Sequence, residues 1–218
     1  AIDGLRPAAA QAAAGLRPSV LCAYLHELAK SNNRFVNAKH CKVLQSEGDV
    51  AAVVAEPARA VPYLPPPGYW QAVREACRAH GTLLIFDEIP TGLGKTGRFF
   101  AAEHDGATPD IVVLGKALGG GVLPIAACLA RADLNVAGEY AYGHYTHEKN
   151  PFSARAGLTL LQVIEDEGLV QHAATLGAHA LQRVEAMRAH QPLIRGVRGR
   201  GLLFSIELQA ADTGRPVA

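Results

Sequence analysis

The sequence predicts an α/β chain built on a mostly parallel sheet, and two observations carry that reading. Short, nearly continuous apolar runs at residues 49–55, 82–86 and 111–114 alternate with segments of helical spacing, the pattern of parallel strands buried on both faces. Each run is followed by an ionisable residue: Glu56, Asp87 and Lys116. Ligands of open α/β sheets bind outside the carboxyl ends of the strands, so three such residues in succession mark one sheet edge as a candidate site.

The elements follow in order. Residues 1–18 are alanine-rich with Gly and Pro punctuation, and residues 19–47 hold a helix near 20–30 and a polar break at Ser31-Asn32-Asn33. Neither stretch carries recognisable site chemistry. The first strand closes at Glu56-Pro57, and a loop with Pro62, Pro65, Pro66 and Pro67 follows. Residues 68–80 read as a helix with Trp70, Val73 and Cys77 on one face, stopped by Gly81. The second strand runs into Asp87-Glu88 and a Gly-rich loop, and the third into Gly115-Lys116. Residues 123–130 read as a further strand, 140–151 as a polar, aromatic loop, and 152–167 and 169–190 as helices. Gly199-Arg200-Gly201 leads into an alternating strand at 202–208 that looks like the start of a second domain.

Composition narrows the function classes. With 21 Lys+Arg against 20 Asp+Glu, the chain has no electrostatic reason to bind nucleic acid or an anionic membrane. Hydrophobic residues at 49% and charged residues at 19% provide a sizeable core and exclude a disordered chain. The most apolar window, 111–130, contains Lys116, three consecutive glycines and Pro124, which argues against a membrane span. Four cysteines without a CxxC pair suggest reduced, mostly buried thiols and a cytoplasmic location. The chain begins without Met and shows no signal peptide, so a fragment or processed piece is expected.

Three motifs invite chemistry. Gly94-Lys95-Thr96 resembles the end of a P-loop, but that motif needs Gly at position 89, where Ile stands. His144, His147 and Glu148 lack the ligand pattern of a zinc site, and no metal is expected. Asp87 and Lys116 are more informative. A Lys just past a strand and ahead of Gly119-Gly120-Gly121, if buried, loses pKa and becomes a nucleophile. An Asp at the neighbouring strand end can keep a cofactor's pyridine nitrogen protonated. A structural Asp–Lys ion pair fits the same spacing.

The block from Leu84-Ile85-Phe86-Asp87-Glu88-Ile89-Pro90-Thr91-Gly92 through Gly94-Lys95-Thr96-Gly97, Glu103-His104 and Pro109-Asp110-Ile111 to Lys116 and Leu118-Gly119-Gly120-Gly121 resembles the signature of the class III aminotransferases. The resemblance runs from about Gly48 to Leu208 and implies a pyridoxal 5'-phosphate enzyme of fold type I. Its large domain would be three-layered α-β-α, here truncated and followed by the start of a small C-terminal domain. The implied division is an unassigned segment 1–47, the C-terminal part of the cofactor-binding domain at 48–190, and the small domain from 191 to 218. By the same resemblance Lys116 is the Schiff-base lysine and proton shuttle, Asp87 the partner of the pyridinium nitrogen, and Ile89 a residue packed on the ring face. Thr146, four residues before Asn150-Pro151, would bind the cofactor phosphate of a neighbouring subunit, which implies a homodimer with shared sites. Glu56 matches a family position near the site.

Departures from the family pattern matter too. Pro90 stands where the family usually has a Gln that contacts the cofactor's 3′-oxygen, and Arg59-Ala60-Val61 replaces a stretch that often carries an acid. The loop at 143–151 is more charged than usual and is similar to the aminoethylphosphonate ammonia-lyase branch, with Arg59 or Lys149 as candidates for an anionic substrate tail. The resemblance also implies members roughly twice as long, with a phosphate-binding loop, a stacking aromatic residue and a carboxylate-binding arginine outside this chain. Three readings follow: a transaminase acting on an amine or amino acid and a keto acid, a lyase on an amino-alkyl phosphonate or phosphate, and an inactive fragment of such an enzyme.

Overall fold

The computed structural model describes residues 50–136, 146, 148, 150–210, 212, 213, 215 and 216. Four strands form one sheet in chain order: β1 (Ala52–Ala55), β2 (Leu83–Asp87), β3 (Ile111–Leu114) and β4 (Ala127–Ala130). The first three are parallel, and β4 runs antiparallel against β3. The predicted 123–130 strand is shorter than expected, because Gly119 to Ala126 is spent reversing the chain, partly through left-handed Gly120 and Gly121.

Helix α1 (Tyr69–Ala79) forms because Trp70, Val73 and Cys77 make one apolar stripe, all buried. Left-handed Gly81 stops it, and the Thr82 N–H returns to the Cys77 carbonyl at 2.8 Å. The stripe covers Val53, Ala55, Leu84 and Phe86, with Trp70 edge-on to Phe86 and its Nε1–H donating to the Pro57 carbonyl at 2.8 Å. Burying three such side chains contributes on the order of 5 kcal/mol. Helix α2 (Pro151–Asp166) starts at Asn150, whose side chain accepts the Phe152 N–H at 3.0 Å, with proline at the first helical position. It packs Leu160, Leu161 and Ile164 with Leu114 and Leu118.

Burial alternates along β1 and β2. Both-face burial is therefore met on one face only among the described residues. The helices lie on the Phe86 face, and the face carrying Asp87 and Val113 is half-exposed. Of the described cysteines, Cys77 is buried as expected but Cys128 is exposed on β4, the outer strand, which no described element covers.

Helix α3 (Leu169–Arg188) leads to a hairpin of β5 (Ile194–Arg200) and β6 (Leu203–Leu208). The sequence pattern showed β6 but not its partner. Arg198 donates to the Pro62 carbonyl at 2.9 Å, lies 4.2 Å over the Tyr63 ring and pairs with Glu207. Arg200 binds Asp105 at 3.0 Å and 3.3 Å. Gly177 of α3 touches Gly201 so closely that no side chain fits between them.

Asp110, just before β3, ties these parts together. Its carboxylate accepts from the Leu84 N–H at 2.7 Å, Arg74 at 2.6 Å and Arg131 at 2.5 Å. Burial pushes its carboxyl up, but the Leu84 N–H and the two guanidiniums outweigh that and hold it below the usual value. Asp110→Ala strands the buried Arg74 charge and should cost about 3 kcal/mol in urea unfolding. Because the folded pKa is depressed, Asp110's contribution is complete above the unfolded value of about 4 and drains away as pH falls through the folded one. Asp110→Asn should therefore flatten the acid limb of the stability profile; an unaltered limb would remove Asp110 from this role.

Candidate active site

The parallel register aligns the strand ends. Ala55 pairs with Phe86 and Asp87 with Val113, so Glu56, Asp87 and Lys116 lie along one carboxyl edge of the sheet, as predicted. Asp87 and Val113 also share a face, because registered residues of parallel strands point the same way. Val113, Lys116, Ile125, Ala127, Glu148 and Asn150 contribute to the wall of a cavity of about 830 Å³ on that face. Asp87 flanks this cavity from the next strand without lining it.

Lys116 is the first residue of a 3-10 turn at Lys116–Gly119 and sits in the left-handed region at φ 48°. A side chain there is held at a cost of roughly 1–2 kcal/mol. Contrary to the burial considered from sequence, Lys116 is exposed, because it projects from the strand end into a half-open cavity that no described element closes. Nor is there an Asp87–Lys116 ion pair among the described residues, so the structural alternative for that spacing is not realised.

The corner after β2 is tightly built. Asp87 accepts the Ile89 N–H at 3.0 Å through one oxygen, and its other oxygen has no hydrogen bond among the described residues. Ile89 lies over Gly115, where an added Cβ would meet its Cγ1 at 3.4 Å, so Ile89 bridges the Asp87 corner and the Lys116 corner. Glu88, only 1% exposed, points the opposite way. It accepts from the Thr91 hydroxyl at 2.5 Å and the Ala102 N–H at 2.9 Å. Burial pushes its carboxyl up, while those donors and the Ala101 N–H oppose the rise. Sequence reasoning gave Glu88 no role. The available signal was that two adjacent acids at a strand end face opposite sides, so one of them must be buried and satisfied.

Lys95 was also missed as a site residue. Its ammonium donates to the Pro90 carbonyl at 3.2 Å, and its proton is held less tightly than usual through burial and then the Lys116 charge, against the pull of Glu88. The remaining predicted residues are not brought to the cavity. Glu56 accepts the Ala60 N–H at 3.0 Å and closes its own turn, Arg59 is exposed beyond it, and Thr146 sits on an exposed turn. Lys149, His144 and His147 lie outside the described residues. Among the described residues no cluster of three His, Cys, Asp or Glu is placed to hold a metal.

A lysine and an aspartate at adjacent parallel strand ends beside a cavity are the arrangement of a pyridoxal-phosphate-type α/β enzyme. The sequence matches the family Aminotransferase class-III over residues 16–217. It is 38% identical over 167 residues to an (R)-1-hydroxy-2-aminoethylphosphonate ammonia-lyase of Vibrio splendidus, covering 76% of this chain and 35% of that protein. It is 47% identical over 150 residues to an acetylornithine aminotransferase of Mycobacterium tuberculosis, covering 67% and 36%. Among solved structures, an ornithine delta-aminotransferase of Plasmodium falciparum superposes with a TM-score of 0.72 at 36% identity, covering 77% and 44%. The chain therefore belongs to the class-III aminotransferase family, whose members are pyridoxal-phosphate-dependent, and it spans well under half the length of these relatives. The family match begins at residue 16, so it takes in residues 16–47, which the sequence reading left unassigned.

Lys116→Gly should relieve the left-handed strain while adding chain entropy to the unfolded state, a net gain of about 0.5–1 kcal/mol. Urea unfolding checks this, and a clear loss of stability would show that Lys116 supports the fold rather than being held for chemistry.

Proposed function

We propose that this chain is the lysine-bearing part of a transaminase that moves an amino group between an amine or amino acid and a keto acid. The observation that carries the reading is that Asp87 and Lys116 stand at the ends of adjacent strands, beside a cavity of about 830 Å³ that Lys116 helps to line. The residues present fit pyridoxal phosphate. The exposed Lys116 amine is available to hold it covalently, Asp87 keeps one carboxylate oxygen for its ring nitrogen, and the cavity lies within the range for small cofactors.

When bound, the cofactor supplies an electron sink for the pair left at the substrate's alpha carbon. In this reading Lys116 would hold the cofactor through its amine and, once freed, would serve as the general base that takes the substrate's alpha proton. Asp87, oriented by the Ile89 N–H, would hold a proton on the ring nitrogen through its other carboxylate oxygen. Ile89, packed over Gly115, would bear on the ring face. Thr146, exposed, would serve the cofactor phosphate at the site of a second copy, and the assembly we infer is a homodimer. We assign this chemistry to the cytoplasm; no described helix is long and apolar enough to cross a membrane.

A second reading is favoured by the Vibrio relative, named as a lyase that acts on an aminoethylphosphonate. Pro90, which offers no side-chain donor to the cofactor, is consistent with either chemistry. Acceptor dependence separates them: a transaminase forms product only with a keto acid, whereas a lyase releases ammonia without one.

Incubation with pyridoxal phosphate, borohydride reduction and peptide mapping should place a stable adduct on Lys116, and Lys116→Ala should remove it. A folded chain with no adduct on Lys116 would mean that this stretch does not hold the cofactor by itself. Asp87→Asn should keep the adduct yet lower turnover of an active assembly by about 100-fold or more, because a neutral amide cannot hold the ring proton. Unchanged turnover would overturn the role given to Asp87.

A further inference from the structure

We propose that Lys95 is a positioning residue of the Lys116 site, its ammonium holding the Pro90 carbonyl and so fixing the corner that presents Asp87 and Ile89. The inference rests on the reading that Lys116 holds the cofactor. It concerns a side chain to which that reading gives no part.

The corner from Asp87 to Gly92 satisfies its polar groups almost entirely from within. The Glu88 N–H donates to the Val113 carbonyl, the Thr91 and Gly92 N–H groups donate to the Glu88 carbonyl, and Asp87 takes the Ile89 N–H. The Pro90 carbonyl is the group that Lys95 supplies with a donor, from five residues on. Pro90 is itself buried, and a buried carbonyl left without a donor is costly. Lys95 thus closes the corner that presents Asp87 and Ile89.

The backbone of Lys95 is fixed from the other side. Its carbonyl accepts the Leu202 N–H at 2.8 Å, at the turn between β5 and β6. Gly201 lies against the same segment, where a Cβ would meet the Gly97 nitrogen and the Lys95 oxygen at 2.7 Å. Gly94 and Gly97 sit against Val170 and Ala174 of α3. Lys95 is therefore gripped by the hairpin and α3 at its main chain, and its side chain holds the Pro90 carbonyl.

Glu88, buried beneath the corner, helps Lys95 to keep its charge, while burial and then the Lys116 charge loosen its proton. His104 binds Thr96 at 3.0 Å, and burial and then Arg200 hold its proton loosely.

The test uses the 218-residue chain loaded with pyridoxal phosphate, reading cofactor affinity from the bound cofactor's visible absorbance and mapping the borohydride-fixed adduct. Lys95→Gln and Lys95→Arg keep a donor for Pro90, whereas Lys95→Met and Lys95→Ala remove it. The expected result is a loss of about tenfold in cofactor affinity in the Met and Ala variants, the worth of one hydrogen bond to a charged donor, with affinity retained in the Gln and Arg variants. Equal affinity in all four folded variants, with the adduct still on Lys116, would overturn the proposal and leave the Lys116 reading intact. Absence of any Lys116 adduct in the unaltered chain would instead mean that this stretch does not hold the cofactor by itself, and would overturn this inference with it.

Discussion

The Asp110 carboxylate receives the Leu84 N–H, the Arg74 guanidinium and the Arg131 guanidinium together, while its own N–H donates to the Leu84 carbonyl at 2.7 Å. That two-way link between Leu84 and Asp110 fixes how β3 lies along β2. From it follows the pairing of Asp87 with Val113. A slip of β3 by one residue would exchange its faces, turning Val113 away from the side that Asp87 faces. The site thus depends on an ion-paired carboxylate that takes no part in its chemistry. Arg74 brings α1 into the same knot, so the helix covering the core also braces the strand that carries the aspartate.

The two acids after β2 show how one backbone corner serves two ends. Glu88 faces inward and is satisfied by hydrogen bonds that anchor the loop. Asp87 faces the open side of the sheet and keeps an oxygen in reserve. Lys116 is strained where Asp87 is relaxed, held at φ 48° between an extended Gly115 and the turn that reverses the chain into β4. Backbone strain at an exposed lysine stabilises nothing in the fold.

Much of this was legible in the sequence. The apolar runs located β1, β2 and β3 to within a few residues, and their ends named Glu56, Asp87 and Lys116 as neighbours on one edge. The Trp70, Val73 and Cys77 stripe defined α1, and Asn150-Pro151 marked the start of α2. What escaped has a physical cause in each case. β5 hides because Arg195, Arg198 and Arg200 and two glycines break its alternation, and its arginines gain their partners (Asp105, Glu207 and the Tyr63 ring) only after folding. Lys95 was hidden by its motif-like setting, since its meaning lies in a contact with Pro90 and a charge near Lys116 rather than in local spacing. Glu56 kept its place at the edge but spends its carboxylate on its own turn. The exposure of Lys116 was missed because periodicity places strand ends but does not say how much of the sheet a given length of chain covers.

The central claim is that Asp87 and Lys116 form one site around a protonated pyridine ring. Nitrogen NMR of the chain loaded with ring-15N pyridoxal phosphate tests it most directly. The account predicts a protonated ring nitrogen at neutral pH whose protonation is lost in Asp87→Asn while the adduct on Lys116 persists. A ring nitrogen that is unprotonated in the unaltered chain, or unaffected by the substitution, would contradict it.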